Sequence, residues 1–241
     1  MRKIIFYLLL ILALTAQTGC AWLQRGPQPL EDTPQELAQA GMDAMDQERY
    51  RLAIEHFTAL RDQYPFSPHT PMAEVALGDA YYKAGRYDAA ITVFTDFMDM
   101  NPRHELIPYV LFRTGLAHYN KFRSIDRPQR DMQHALEYFR RIKQAYPESE
   151  YAEYADYYML RCRTRIAEHE LHIADFYWRT GRYGSAWQRY KYVEDNFSDL
   201  PEIVEYAQER ARTSYFRHQE EESQQKRAAE HGSWKNWFDW L

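Results

Sequence analysis

Four times along the chain an alanine is followed four residues later by a large ring, and three residues beyond that by another apolar side chain. The sets are Ala53–Phe57–Leu60, Ala90–Phe94–Phe97, Ala135–Phe139–Ile142 and Ala186–Tyr190–Val193. Positions i, i+4 and i+7 share one face of an α-helix, so each set predicts a helix with a narrow apolar stripe. Twelve residues ahead of Ala53, Ala90 and Ala186 stand Gly41, Gly78 and Ala174, small residues where a preceding helix must come close. Between the two helices the pattern places a turn at Glu48-Arg49-Tyr50, Gly85-Arg86-Tyr87 and Gly181-Arg182-Tyr183. Proline stops the second helix at Tyr64-Pro65, Asn101-Pro102 and Tyr146-Pro147, because its ring and missing N–H block propagation.

A helix with a small residue, a turn, an Ala-x3-aromatic helix and a terminating proline make the tetratricopeptide pattern. One such hairpin cannot bury its own apolar stripe, so the copies must stack into an all-α solenoid, a right-handed superhelix of four to five hairpins spanning residues 34–218. The third copy departs from the period. Gly115 precedes Ala135 by twenty residues rather than twelve, and the extra length is the charged segment Phe122–Asp131, broken by Pro128. A longer surface loop costs little entropy and can be kept for contacts. Tyr151–Tyr177 contains no breaker and predicts a long helix with another close behind it. A last helix is expected at Pro201–His218, with Val204, Ala207, Ala211 and Tyr215 on one face. Residues 219–241 follow as a polar extension, either solvated helix or disordered, and an aromatic tail. In the tail Trp234, Trp237, Phe238 and Leu241 fall at helical spacing. So short a stripe folds only against a surface: the open end of the solenoid, a partner, or the bilayer interface.

The amino terminus sets the compartment. Met-Arg-Lys, the apolar run Ile4–Leu14 and small residues before Cys20 describe an export signal over residues 1–19. Thr18-Gly19-Cys20 resembles a lipobox, with Gln17 where that pattern prefers an aliphatic residue. The resemblance implies acylation of Cys20, and Ala21 rather than aspartate after it favours the outer membrane. Residues 20–33, with Gly26, Pro27 and Pro29, form a tether that reaches about 45 Å when extended. Cys162 is then left without a disulfide partner and is expected as a buried thiol. The formal charge of −5, two cations of which lie in the removable leader, provides no electrostatic footprint for nucleic acid.

Chemistry-bearing clusters are few. His169-Glu170-Leu171-His172 lacks the His-Glu-x-x-His spacing of zinc proteases, so two helix-surface histidines and no metal are expected. Asp126, Arg127, Arg130 and Asp131 alternate in sign within the insertion, where such charges pair with one another, fix the loop or contact a partner. Phosphate loops, nucleophile elbows and Cys-x-x-Cys pairs do not occur in the sequence, and no cofactor and no catalysis are expected. Tyr151, Tyr154 and Tyr158 sit at helical spacing and should pack between repeats. Tyr81, Tyr82 and Tyr119 lie late on first helices, which line the groove of tetratricopeptide stacks. They serve either as packing rings or as a substrate-peptide groove that grips an extended chain.

Further residues carry a more specific likeness. Thr18-Gly19-Cys20, Tyr64-Pro65-Phe66-Ser67-Pro68, Tyr109-Val110 leading to Gly115-Leu116, and above all Asp126-Arg127-x-x-Arg130-Asp131-x-x-His134-Ala135 resemble the BamD (ComL) family over about residues 20–215. The resemblance implies a lipid-anchored outer-membrane scaffold facing the periplasm. Its partners would be a BamA-like translocase, other assembly lipoproteins and unfolded outer-membrane proteins. It also implies that an arginine on the second helix of the fourth repeat, here Arg189, contacts the translocase. A repeat lipoprotein that pilots secretin or pilus subunits, or serves cell division, is the alternative role.

Overall fold

The computed structural model describes residues 33–231. Cys20, its tether and the tryptophan tail lie outside the described residues. Within them nine helices follow in order: α1 Pro34–Asp46, α2 Tyr50–Gln63, α3 Thr70–Lys83, α4 Tyr87–Met100, α5 Ile107–Asn120, α6 Arg130–Ala145, α7 Tyr151–Arg179, α8 Tyr183–Asn196 and α9 Pro201–His231. The first eight pair as four antiparallel hairpins, and α9 closes the stack against α8. This is the tetratricopeptide solenoid that the repeat predicts.

Local chemistry places each boundary. Thr33 caps α1 through a capping box: its hydroxyl accepts from the Glu36 N–H, while the Glu36 carboxylate accepts from the Thr33 N–H at 2.8 Å. Proline occupies the first turn of α1, α3 and α5, where its missing N–H costs no helical bond. Three hairpins turn by one device. The chain enters the left-handed region at Glu48 (φ 56°), Gly85 (φ 71°) and Gly181 (φ 73°). The N–H groups of the next residues, Arg49, Arg86 and Arg182, then donate back to the carbonyls of Ala44, Tyr81 and Tyr177. This is the Schellman closure, which glycine adopts without strain.

The repeat register rests on a ring against a missing side chain. A Cβ on Gly41 would lie 2.3 Å from the Phe57 ring, one on Gly78 2.3 Å from Phe94, and one on Gly115 2.7 Å from Phe139. The eight extra residues of the third copy are therefore looped out without disturbing the contact. In the fourth copy the pair is Ala174 and Tyr190, both fully buried, and the Tyr190 hydroxyl donates to Asp175. Leu60, Phe97, Ile142 and Val193 complete the same buried stripes. Cys162 is fully buried midway along α7.

One detail resolves an alternative left open for the polar extension, in favour of solvated helix, and another differs from the sequence expectation. Helix α9 runs to His231, past His218, because residues 219–230 are strong helix formers without a breaker and carry pairs such as Arg217–Glu220 and His218–Glu222. The buried face of α9 is Ala207, Ala211 and Ser214. Tyr215 remains 40% exposed at its edge, with its ring 5.2 Å from that of Trp187. The Ser214 hydroxyl donates to the Arg210 carbonyl, so a polar residue is accommodated where an apolar one was expected.

Gly78→Leu is expected to destabilise the body by about 1–3 kcal/mol, because the Phe94 ring fills the space the new side chain needs. Urea denaturation followed by circular dichroism measures it, and an unchanged midpoint would contradict the ring-on-glycine register.

Candidate functional site

First helices of successive hairpins touch one another, α1 with α3, α3 with α5, and α5 with α7, and no comparable contact joins the second helices among the described residues. The first helices thus form the inside of the curve. Their shared face carries a strip of rings, arginines and a half-buried carboxylate.

The strip begins at Asp79 on α3, which accepts from the Tyr109 hydroxyl and from Arg113 Nε on α5, each at 2.5 Å. The Arg113 guanidinium lies 4.0 Å from the centroid of the Tyr82 ring, a cation–π contact, and the Tyr82 hydroxyl accepts from Asn120 at 2.6 Å. Burial pushes the Asp79 carboxyl up, with Arg113 and Tyr109 pulling against it. Tyr109 is raised by burial and by the neighbouring carboxylate. Farther along, Arg161 on α7 donates to the hydroxyls of Tyr119 and Tyr157, both at 2.9 Å. Phe112 sits among Tyr151, Tyr154 and Tyr158 with centroids 5.5–5.9 Å away. Tyr154, Tyr157 and Leu160 keep about half their surface in solvent, so the α7 part of the strip offers apolar faces to a ligand.

The Asp79 cluster has a counterpart two hairpins later. Asp175 accepts from Tyr206 and Tyr190, and Arg210 lies 4.4 Å over Trp178. Asp79-x2-Tyr82 with Tyr109-x3-Arg113 thus matches Asp175-x2-Trp178 with Tyr206-x3-Arg210. Each clasp joins two first helices through one carboxylate, a tyrosine and an arginine stacked on a ring. Sequence reasoning missed Asp79, Phe112, Arg113 and Arg161. The signal present was this doubled spacing, in which aspartate directly follows the small-residue position.

Of the three groove tyrosines, Tyr82 and Tyr119 stand on the strip. Tyr81 does not: it packs into the apolar cores on both sides of α3, under the Arg86 guanidinium at 4.7 Å. Tyr151 and Tyr158 pack between repeats as expected, whereas Tyr154 is 56% exposed.

The insertion is an ordered bridge. The buried Gln129 side chain donates to the carbonyls of Ser124 (3.1 Å) and Arg127 (2.6 Å), and the His169 ring of α7 holds the Ile125 carbonyl at 2.5 Å. His169 is thereby placed as a loop anchor. The four charges of the motif do not pair with one another. Asp131 instead takes Lys121 at 3.0 Å and His118 at 3.2 Å, and Lys121 also reaches Asp88 at 2.8 Å. Consecutive helix residues point about 100° apart, so Arg130 and Asp131 face different surroundings. Burial raises the Asp131 carboxyl, but Lys121 and His118 outweigh it and hold it below its ordinary range. Burial pushes His118 down despite that carboxylate. Asp126, exposed, is lowered by its bond to Ser124. Between this loop and the α3–α4 turn opens a cleft of about 1050 Å³.

On the second helix of the fourth hairpin, Arg189 donates to Glu170 of α7 at 2.7 Å and stays 45% exposed. It is therefore a paired surface cation. The Cys162 thiol is pushed up to about 12 by burial, which removes its nucleophilicity.

Residues 30–230 match the model of the YfiO family, described as outer membrane lipoprotein. The outer membrane protein assembly factor BamD of Vibrio cholerae is 31% identical over 200 residues, covering 78% of this chain and 82% of that protein. The BamD protein of Neisseria meningitidis serogroup B is 25% identical over 221 residues, 83% of each chain. Among solved structures, a thermophilic TPR protein of Thermus thermophilus superposes with a TM-score of 0.42 at 16% identity, covering 74% of this chain and 98% of that one.

Asp79→Leu is expected to cost about 3–5 kcal/mol, since the Arg113 side chain is only 13% exposed and would lose its counter-charge. Adding Arg113→Met should recover much of the loss. A double-mutant cycle by urea denaturation checks this, and strictly additive losses would show that the two side chains are not coupled.

Proposed function

The chain belongs to the YfiO family of outer membrane lipoproteins, and on that premise we propose that it is a periplasm-facing, lipid-anchored scaffold for outer-membrane β-barrel assembly. The family favours this role over a pilot for secretins or a division adaptor. The observation that carries it is the inner strip from Tyr82 to Tyr157. Ring faces, phenolic hydroxyls and arginines recur there across three successive first helices. Unfolded outer-membrane proteins present such segments, with backbone groups for the hydroxyls and aromatic side chains for the rings. The polar groups of the strip are engaged in positioning, with Asp79 and Arg161 holding rings in place, and outside the strip His169 holds a loop. That is the chemistry of a binding scaffold.

Docking to a BamA-like translocase uses the opposite part of the stack. Arg189 stands at the surface of α8 with Glu170 as its resident partner, so docking requires a carboxylate of the translocase to share or replace that ion pair. Other assembly lipoproteins would join the same complex.

Arg189→Glu sets a second carboxylate against Glu170 and should reduce co-purification of the translocase while leaving helicity intact. Glu170→Gln, which frees Arg189, should preserve co-purification. Equal yields from the wild type and the Arg189→Glu variant would remove this residue from the interface.

Cys20→Ala should release the folded protein from outer-membrane fractions. Retention of this variant through a salt wash would show that acylation is not the anchor.

A further inference from the structure

The cleft between the α3–α4 turn and the insertion differs in charge from the rest of this acidic chain. Arg86, Lys121, Arg123, Arg127 and Arg130 line it, against two carboxylates, Asp88 and Asp131. Both carboxylates are already held by Lys121, which spans from one wall to the other. His118 and His134 line it as well, and burial disfavours the charged form of His118. Asp126 does not line the cleft. Among the described residues Arg123, Arg127 and Arg130 are exposed and make no ion pair. The loop that carries them is preorganised. Gln129 ties its carbonyls together, His169 pins Ile125 from behind, and Arg165 lies over the Phe122 ring at 5.3 Å. Arg123, Arg127 and Arg130 make no ion pair, Arg127 sensing only the neighbouring exposed Asp126, and their backbone is fixed over a cleft of about 1050 Å³, so their attraction is left largely for an outside ligand.

We propose that this cleft binds an acidic protein segment through its aspartate and glutamate side chains. The unpaired cations come from two walls, Arg86 from the α3–α4 turn and Arg123, Arg127 and Arg130 from the insertion, which suits several single carboxylates in sequence. A phosphate is held best by donors that converge on one point from a single segment. Asn120 lines the cleft and also donates to Tyr82 on the inner strip, so the cleft opens beside the groove for extended chain. The site is separate from the α8 surface, and its failure would leave the assembly role standing.

The test uses the full chain in detergent and a fluorescein-labelled ten-residue peptide of alternating glutamate and serine, blocked at both ends, with binding read by anisotropy. The Arg123→Gln/Arg127→Gln/Arg130→Gln variant removes only unpaired surface cations, so its helicity and melting midpoint should match the wild type while peptide affinity falls about tenfold. Asp88→Asn should act in the opposite direction and tighten binding two- to threefold, about what one exposed charge contributes. Equal affinity in the wild type and the triple variant would overturn the proposal. So would wild-type preference for a serine-only peptide with a free carboxyl terminus, for phosphatidylglycerol vesicles, or for inorganic phosphate as a competitor.

Discussion

A phenylalanine ring occupying the place of an absent Cβ sets the dimensions of this molecule. At Gly41, Gly78 and Gly115 the ring of the second helix comes so close that no side chain fits between. In these three hairpins the backbone of the first helix therefore rests directly on the ring of the second, and the stripe residues around the contact are sealed from water. Repeated through the stack, that spacing brings successive first helices into contact on the inside of the curve. Asp79 reaches Tyr109 and Arg113 across thirty or more residues only because this distance is fixed first. Where the small residue is Ala174, the ring is a tyrosine whose hydroxyl finds Asp175, and the contact becomes part of the second clasp.

The sequence disclosed whatever depends on neighbours along the chain. The rings, the small residues, the left-handed turns and the stopping prolines are separated by fixed short intervals, and helix geometry converts intervals into faces. Glu48, in a turn position where two other copies have glycine, was legible for the same reason, as was the looped-out length of the third copy. The clasps were harder to see. Tyr109 and Arg113 meet Asp79 through the superhelical stacking of hairpins, which no short interval encodes. Tyr81 and Tyr82 show the limit within one helix: adjacent in sequence, they point about 100° apart, one into the cores and one onto the strip. Arg189 was placed at the surface, but its partner Glu170 lies on another helix and was invisible from the local register. The charges at Asp126–Asp131 were identified as a group, while the partners that Asp131 takes, His118 and Lys121, come from the end of the helix before.

The two candidate binding surfaces divide the available chemistry. The inner strip uses rings and hydroxyls, with its cations already spent on holding those rings. The insertion spends its polar groups on holding its own backbone, and its cations remain unpaired. The insertion that lengthens the third repeat thus brings three exposed cations without ion pairs to the rim of one cleft.

The 29-residue α7 belongs to both ends of the molecule. Its first half packs on α6 and carries the exposed tyrosines of the strip; its second half packs on α8 and supplies Glu170 to Arg189. A helix of that length is a rod of about 44 Å without a joint. Most repeat stacks flex a little at every hairpin boundary, so that strain introduced at one end fades before it reaches the other. Here one boundary is bridged by continuous backbone hydrogen bonding, and tilting one half obliges the other to tilt with it. The proposed groove for an extended chain and the proposed docking surface at Arg189 are mounted on a single lever, whose arms cannot change their angle independently.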